Sequence, residues 1–202
     1  MSQYFYVVST LPLLSFDQDH VPSSIDFLEM CKGHLEPEDL SLIERAALRP
    51  SGAPIETDLG FESLLDGEQV IRAWLAWESR LRDELVRLRG PKLEVDAARY
   101  LSEAGYVTGA YEVAREALGA ASPLEGEEIL DRARWRYLDE LEAGHFFDIA
   151  KLIVYYLKIQ VLERRALFNR ERGEERFGTL YSAVMPKSFS DEFGQNNLES
   201  EQ

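Results

Sequence analysis

LEAGHFFDIAKLIVYYLKIQVLERR, residues 141–165, is a long and strongly hydrophobic stretch of this 202-residue chain. A transmembrane helix needs about 20 mainly apolar residues. Four polar residues interrupt the apolar run between Phe146 and Leu162, namely Asp148, Lys151, Lys158 and Gln160. Lys151, Tyr155 and Lys158 fall on one stripe, and apolar residues cover most of the remaining surface. The stretch therefore predicts a helix surrounded by other helices, with a narrow edge where its lysines reach water.

A second amphipathic helix is predicted upstream, in GEQVIRAWLAWESRLRDELVRLRGP. Its apolar residues recur at steps of three and four and form one stripe: Val70, Trp74, Trp77, Leu81, Leu85 and Leu88. This spacing places the tryptophans in a core. Gly90-Pro91 is expected to end the helix.

Further helices are predicted from caps and breakers. They cover residues 24–32, 37–48, 94–104 and 107–119, a long helix from Ser122-Pro123 to a break at Gly144, and a final helix over 147–173. Residues 49–66 are predicted to form a loop. The stretch QYFYVVS at 3–9 fits either an extended arm or a buried helix.

The expected fold is therefore all-α, a compact multi-helix bundle with an extended or helical N-terminal arm. Residues 1–185 are expected to form a single helical domain. Residues 186–202 are polar and acidic, and they are expected to be a disordered tail.

Charge and cysteine content exclude several classes of partner and site. The net charge of −15 repels phosphate and anionic lipid, so neither nucleic acid nor direct membrane insertion is expected. Cys31 is the single cysteine, which excludes an internal disulfide and fits a reducing compartment. No basic residue precedes the first apolar run, so no signal peptide is expected and the cytoplasm is the predicted location.

Arginines collect in RARWR and ERRALFNRERGEER. Such clusters are usually solvated helix faces paired with neighbouring glutamates. They also suit an acidic partner, and the candidate interface residues are Arg132, Arg136, Arg164, Arg165 and Arg172.

Glu142 and His145 form a Glu-x-x-His pair, half of the ligand set of a di-iron helical bundle. The matching second pair is missing from the long helices, and Gly144 inside the motif indicates a helix break. His145 is therefore expected to be a hydrogen-bonded residue at a helix junction. The chain has no phosphate loop, no dinucleotide fingerprint and no nucleophile elbow, so no catalytic residue, metal or cofactor is predicted.

Three stretches together resemble a bacterial family encoded within V/A-type rotary ATPase operons of spirochaetes, chlamydiae and the Bacteroides group. They are YFYVVSTLPLLSF, WLAWESRLRDELVRLR and ILDRARWRYLDELEAGHFFDIAKLIVYYLKIQVLERR. Those operons lack an ordinary gene for the C/d-type central-stalk protein, a helical socket between the rotor ring and the shaft.

The resemblance implies a non-catalytic component or accessory of such an ATPase, in proton or sodium transport. Its partners would be the rotor ring or the central shaft, and it would lie in the cytoplasm, peripheral to the inner membrane through the complex. Two alternatives stay open: an assembly factor that leaves the finished enzyme, and a metal-binding helical-bundle enzyme.

Overall fold

The computed structural model describes residues 3–18, 20–48, 66–101 and 109–168. Over these residues the regular structure is helical throughout, without a strand, so the expected all-α fold is confirmed. The helices are α1 Gln3–Thr10, α2 Ser24–Lys32, α3 Pro37–Arg45, α4 Gly67–Leu93, α5 Ala110–Gly119, α6 Pro123–Glu142 and α7 Ile149–Leu167, with a 3₁₀ turn at Ala97–Tyr100.

The chain divides into two units, Met1–Arg165 and Ala166–Gln202. Every described helix, apart from the last two residues of α7, lies in the first unit. The predicted loop at 49–66, apart from Asp66, the predicted domain boundary at 185 and the predicted acidic tail lie outside the described residues. No helix in the described ranges contains a stretch long and apolar enough to cross a membrane.

The centre of the first unit is α7. Ten of its residues are buried, and they face almost every direction around the helix: Ala150, Leu152, Ile153, Val154, Tyr155, Leu157, Lys158, Ile159, Val161 and Leu162. The rings of Tyr155 and Tyr156 pack against Phe27 of α2, with centroids 5.4 and 5.7 Å apart. A helix that is apolar on nearly all sides is stable only inside a bundle, as its sequence predicts.

The amino end of α4 lies directly against α7 and α3. A Cβ built on Gly67 would meet side-chain atoms of Leu42, Ile149 and Ile153 at 2.8, 2.9 and 3.0 Å. Asp66 caps the helix by accepting from the Gln69 N–H at 2.9 Å, and the Gln69 side chain accepts from Asp66 N–H in return. Glycine at this position thus allows α4 to start in contact with the central helix.

The N-terminal segment is a helix, which decides between the two conformations that its sequence allows. Val7 of α1 is fully buried, and the hydroxyl of Tyr4 donates to Asp39 of α3 at 2.8 Å. The following residues continue over the surface of α7, where the Tyr155 hydroxyl donates to the carbonyl oxygen of Pro12 at 3.0 Å. A tertiary contact has therefore overridden the β-type propensity of this stretch.

Several helix boundaries differ from the sequence prediction. Helix α4 does not end at Gly90-Pro91 but continues to Leu93, where Glu94 adopts a left-handed conformation with φ 54°. Proline removes one helical hydrogen bond, and the Val95 N–H, bonded to the Gly90 carbonyl at 3.2 Å, closes the last turn.

The helix predicted over 94–104 is also wrong in its described part. Only one 3₁₀ turn, Ala97–Tyr100, forms there, started by the Asp96 side chain accepting from the Ala98 N–H at 3.2 Å. The helix predicted over 37–48 ends at Arg45, because Gln160 of α7 hydrogen-bonds Ala46 and Leu48 at 3.0 and 3.2 Å and holds this segment extended. The final helix ends at Leu167, and residues 169–173 of its predicted span lie outside the described ranges.

Helices α5 and α6 approach closely at Gly126. A Cβ at this position would lie 2.6 Å from the Ala117 carbonyl oxygen, a backbone atom that cannot turn aside. We expect Gly126→Ala to lower the free energy of unfolding by about 1–3 kcal/mol, measured by urea denaturation.

Gly119→Ala is the matched control, because the described structure leaves open space around its Cβ. Replacing a helical glycine there should be neutral or stabilising by up to about 1 kcal/mol. Equal stabilities of the two variants would contradict the close approach.

Candidate interaction surface

Buried charges in the helical body pair with one another. The guanidinium of Arg134 (α6) forks onto the Glu78 carboxylate (α4) with two bonds of 2.9 Å, and it donates to Asp131 at 2.7 Å. Arg164 of α7 also donates to Asp131 and to Glu127. Burial raises the pKa of Asp131 even though Arg164 and Arg134 act to lower it.

A second group of charges lies where α6 turns into α7. The Glu142 carboxylate accepts from the ammonium groups of both Lys151 and Lys158, and Lys158 is 2.6 Å from Asp139. Lys158 is buried, so the prediction of a wet edge at this position is wrong. Two carboxylates of α6, Asp139 and Glu142, lie against its ammonium group.

The predicted role of His145 is confirmed. His145 is buried in the turn between the helices, its Nδ1 is 2.8 Å from Oδ2 of Asp148, and Gly144 before it has φ 89°. Asp148 also caps α7 by accepting from the Lys151 N–H at 2.9 Å. Glu142 and His145 thus have separate partners, and within the described ranges no three or more His, Cys, Asp or Glu side chains are placed to hold a metal ion.

The pKa of Glu142 has a consequence for stability. Burial alone would raise this pKa, but hydrogen bonds from Lys151 and Lys158 outweigh it and lower the pKa below the ordinary 4.5. As pH falls, Glu142 is therefore protonated at a higher pH in the unfolded chain than in the folded chain. The stabilisation from Glu142 is complete above about pH 5 and is lost as pH falls below 4.5 through the folded-state pKa.

We expect Glu142→Gln to be less stable than the parent at pH 7, with the difference shrinking as pH falls from 5 to 3. Denaturant unfolding across this range measures it. Glu140→Gln, which removes an exposed carboxylate from the same helix, controls for net charge. A difference between parent and Glu142→Gln that stays constant with pH would refute this assignment.

Two of the candidate interface arginines hold an aromatic ring of their own chain. The guanidinium carbons of Arg132 and Arg165 lie 4.5 and 3.8 Å from the centre of the Phe16 ring. The Asp17 carboxylate lies 3.5 Å from Arg132 and 3.8 Å from Arg165, and Arg165 also donates to the Phe16 carbonyl oxygen. These cation–π and ionic contacts fix residues 16–17 on the bundle.

The other candidate arginines are scattered. Arg164 is engaged with Asp131 and Glu127 as described, and Arg172 lies outside the described residues. Arg136 is exposed and has no ion-pair partner in the described part of the chain. The proposed arginine interface thus stays a prediction, with Arg136 and half-exposed Arg132 as its accessible members within the described ranges.

A second candidate surface, here called the aromatic patch, is defined by two pairs of contacting exposed rings and the exposed phenylalanine next to one of them in sequence: Phe5, Tyr6, His34, Phe146 and Phe147. Phe5 contacts Phe147 with ring centroids 4.9 Å apart, and Tyr6 contacts His34 at 4.4 Å. Phe146 is 70% exposed and Tyr6 57%. Adjacent exposed rings of this kind are characteristic of protein-binding surfaces, where aromatic side chains supply much of the binding energy.

Phe5 and Tyr6 belong to the N-terminal stretch QYFYVVS, whose aromatic character is visible in the sequence. The sequence does not predict that Phe146 and Phe147 are exposed, because they continue the apolar run of the last helix. The structure places both before α7, which begins at Ile149. Gly144 indicates this position, because a helix break at a glycine leaves the residues that follow it outside the helix.

A shallow groove of about 290 Å³ lies beside α2, with Phe27, Met30, Tyr155 and Ile159 among its lining residues. Cys31 of the same helix is fully buried, and burial raises the pKa of its thiol to about 11. A thiol with this pKa is not a nucleophile at neutral pH.

The sequence profile of one family, described as "Protein of unknown function (DUF2764)", matches residues 112–186 of this chain. The match covers less than half of the 202 residues and includes α6, α7 and most of α5. No curated protein and no solved structure matches the chain.

Proposed function

We propose that this protein is a non-catalytic component or accessory of a V/A-type rotary ATPase, working through protein–protein contacts in proton or sodium transport. The position that the resemblance implies is a central-stalk socket of the C/d type, in contact with the rotor ring or the shaft. It would lie in the cytoplasm, at the inner membrane through the complex.

The aromatic patch is the observation that best supports a binding role. Its rings come from α1, from the turn after α2 and from the turn before α7, so they sit on one helical body. Such a body suits a socket, which must transmit force without deforming.

The pairing of buried charges also favours binding over catalysis. Glu78 with Arg134, and Glu142 with Lys158, connect one helix to another. Charges used in this way hold helices in register, whereas a reaction centre needs titratable groups that face a substrate.

Co-purification from native membranes tests the proposal. The tagged chain should be recovered in mild detergent together with the rotor-ring and shaft proteins, in a constant ratio to them. Recovery without any ATPase component would reject it. Presence in incomplete assemblies, together with absence from the active enzyme, would instead indicate an assembly factor.

A further inference from the structure

Phe-Asp occurs twice in the sequence, at Phe16-Asp17 and at Phe147-Asp148. The first pair is covered by two arginines of the same chain, one 4.5 Å and one 3.8 Å from the ring centre, and both within 3.8 Å of the Asp17 carboxylate. A phenylalanine face and an adjacent carboxylate thus form a binding site for a guanidinium group. At Phe16-Asp17 this site is filled by arginines of the same chain.

The second pair has the same chemistry without the arginine. The Phe147 ring is 48% exposed at the aromatic patch, and the Asp148 side chain is 41% exposed. Asp148 accepts from the Lys151 N–H and contacts His145, which leaves acceptor capacity on a carboxylate that can take about four hydrogen bonds. No lysine or arginine of the described ranges lies over the Phe147 ring.

Further carboxylates lie in the segment that packs along α1. His34 contacts Tyr6, and Asp39 accepts from Gln3 and Tyr4, so the segment between His34 and Asp39 runs along this helix. That segment contributes exposed Glu36 and Glu38. Burial and the charges of Asp39 and Asp148 raise the pKa of Tyr4, because both carboxylates lie near this residue of α1.

We propose that the aromatic patch binds an arginine-bearing segment of a partner protein, with one guanidinium over Phe147 and against Asp148. The carboxylates near α1 would repel a second copy of this chain, whose net charge is −15, and also anionic lipid and nucleic acid. The nearest cation in sequence to Asp148, Lys151, is paired with Glu142. The inference rests on the proposed function in taking the occupant to be a protein.

Site-specific photo-crosslinking from the patch tests the chemistry of the occupant. The full-length chain carries benzoylphenylalanine at position 6 and is irradiated in native membranes, and the cross-linked peptide is identified by mass spectrometry. We expect a protein segment with an arginine within a few residues of the cross-link. A cross-link to this chain itself, to lipid or to a segment without basic residues overturns the proposal, as does the lack of any cross-link.

A substitution at Phe147 tests the cation–π contact in particular. Phe147→Leu keeps an apolar side chain but removes the ring face, and it should weaken binding of the cross-linked partner about tenfold. Tyr111→Leu, on an equally exposed aromatic of α5, should leave binding unchanged. Thermal unfolding followed by circular dichroism verifies that both variants are folded. Equal binding by both variants overturns the proposal.

The two proposals fail separately. If the parent chain does not co-purify with the ATPase but cross-links to a basic segment of another protein, the ATPase role is rejected and the patch assignment stands. If the parent co-purifies and Phe147→Leu binds as well as the parent, the patch assignment is rejected and the ATPase role stands.

Discussion

Arg134→Met should lower the free energy of unfolding by about 3–5 kcal/mol at pH 7. Arg134 is 6% exposed and Glu78 is fully buried, so the substitution leaves a carboxylate in the interior without its bidentate partner. The methionine fills much of the vacated volume, which keeps the measured cost chiefly electrostatic. Guanidinium chloride unfolding gives the value.

Arg82→Met is the matched control. Arg82 contacts the same Glu78 carboxylate at 2.9 Å, but its side chain is 38% exposed, and the pair lies four residues apart on α4. Arg134 still holds the buried Glu78 carboxylate in this variant, so the expected loss is about 0.3–0.5 kcal/mol, the usual contribution of an i,i+4 helix pair. If both variants lose the same free energy of unfolding, the buried bidentate pair of Arg134 and Glu78 does not stabilise the fold more than the pair of Arg82 and Glu78.

Trp74→Ala should cost about 3–5 kcal/mol, the usual range for removing a buried large aromatic side chain. The Trp74 side chain is fully buried, its ring packs on Trp77 and Tyr137, and its indole N–H donates to the Ala47 carbonyl at 3.0 Å. The alanine variant loses all of these contacts and leaves a cavity between α4, α6 and the segment after α3.

Trp74→Phe separates the hydrogen bond from the packing. It keeps an aromatic ring and loses the indole N–H, so the expected cost is about 1–3 kcal/mol, from the carbonyl left without its donor. Unfolding followed by circular dichroism avoids the change in tryptophan fluorescence. A phenylalanine variant as unstable as the alanine variant would show that the bond to Ala47, rather than ring packing, dominates.

Periodicity predicts the all-α fold and much of its core. Trp74 and Trp77 are buried as their helical spacing indicates, and Ser23 and Ser122 cap α2 and α6 with their side chains. These features depend on residues within one or two turns of each other. Local sequence is therefore sufficient to recognise them.

Two of the wrong predictions, the wet edge at Lys158 and the length of α3, share a different cause, since each depends on residues far apart in the chain. The helical stripe predicts a wet edge at Lys158, because the attraction of Glu142, 16 positions earlier, is not visible in it. The fork between Arg134 and Glu78 joins residues 56 positions apart. Tertiary contacts of this kind can override both propensity and burial patterns.

The candidate site is predictable only in part. The aromatic arm draws attention to Phe5 and Tyr6, but Phe147 joins them through a ring contact that spans most of the chain. Exposure also depends on which residues the fold leaves uncovered. Phe146 and Phe27 are the same residue type in apolar surroundings, and only the fold makes one exposed and the other buried.

The contacts between the first residues and α7 determine when the protein can fold during its synthesis. Pro12 meets Tyr155, Phe16 meets Arg165, and the Ser24 N–H bonds Glu163, pairs separated by 143, 149 and 139 positions. At roughly 5–20 residues per second, α1 to α3 leave the ribosome on the order of ten seconds before the helix against which they pack. During that interval their apolar faces are open to chaperones and to neighbouring nascent chains. A ribosome that stalls before α7 has emerged therefore presents a chain that lacks the helix around which its core forms.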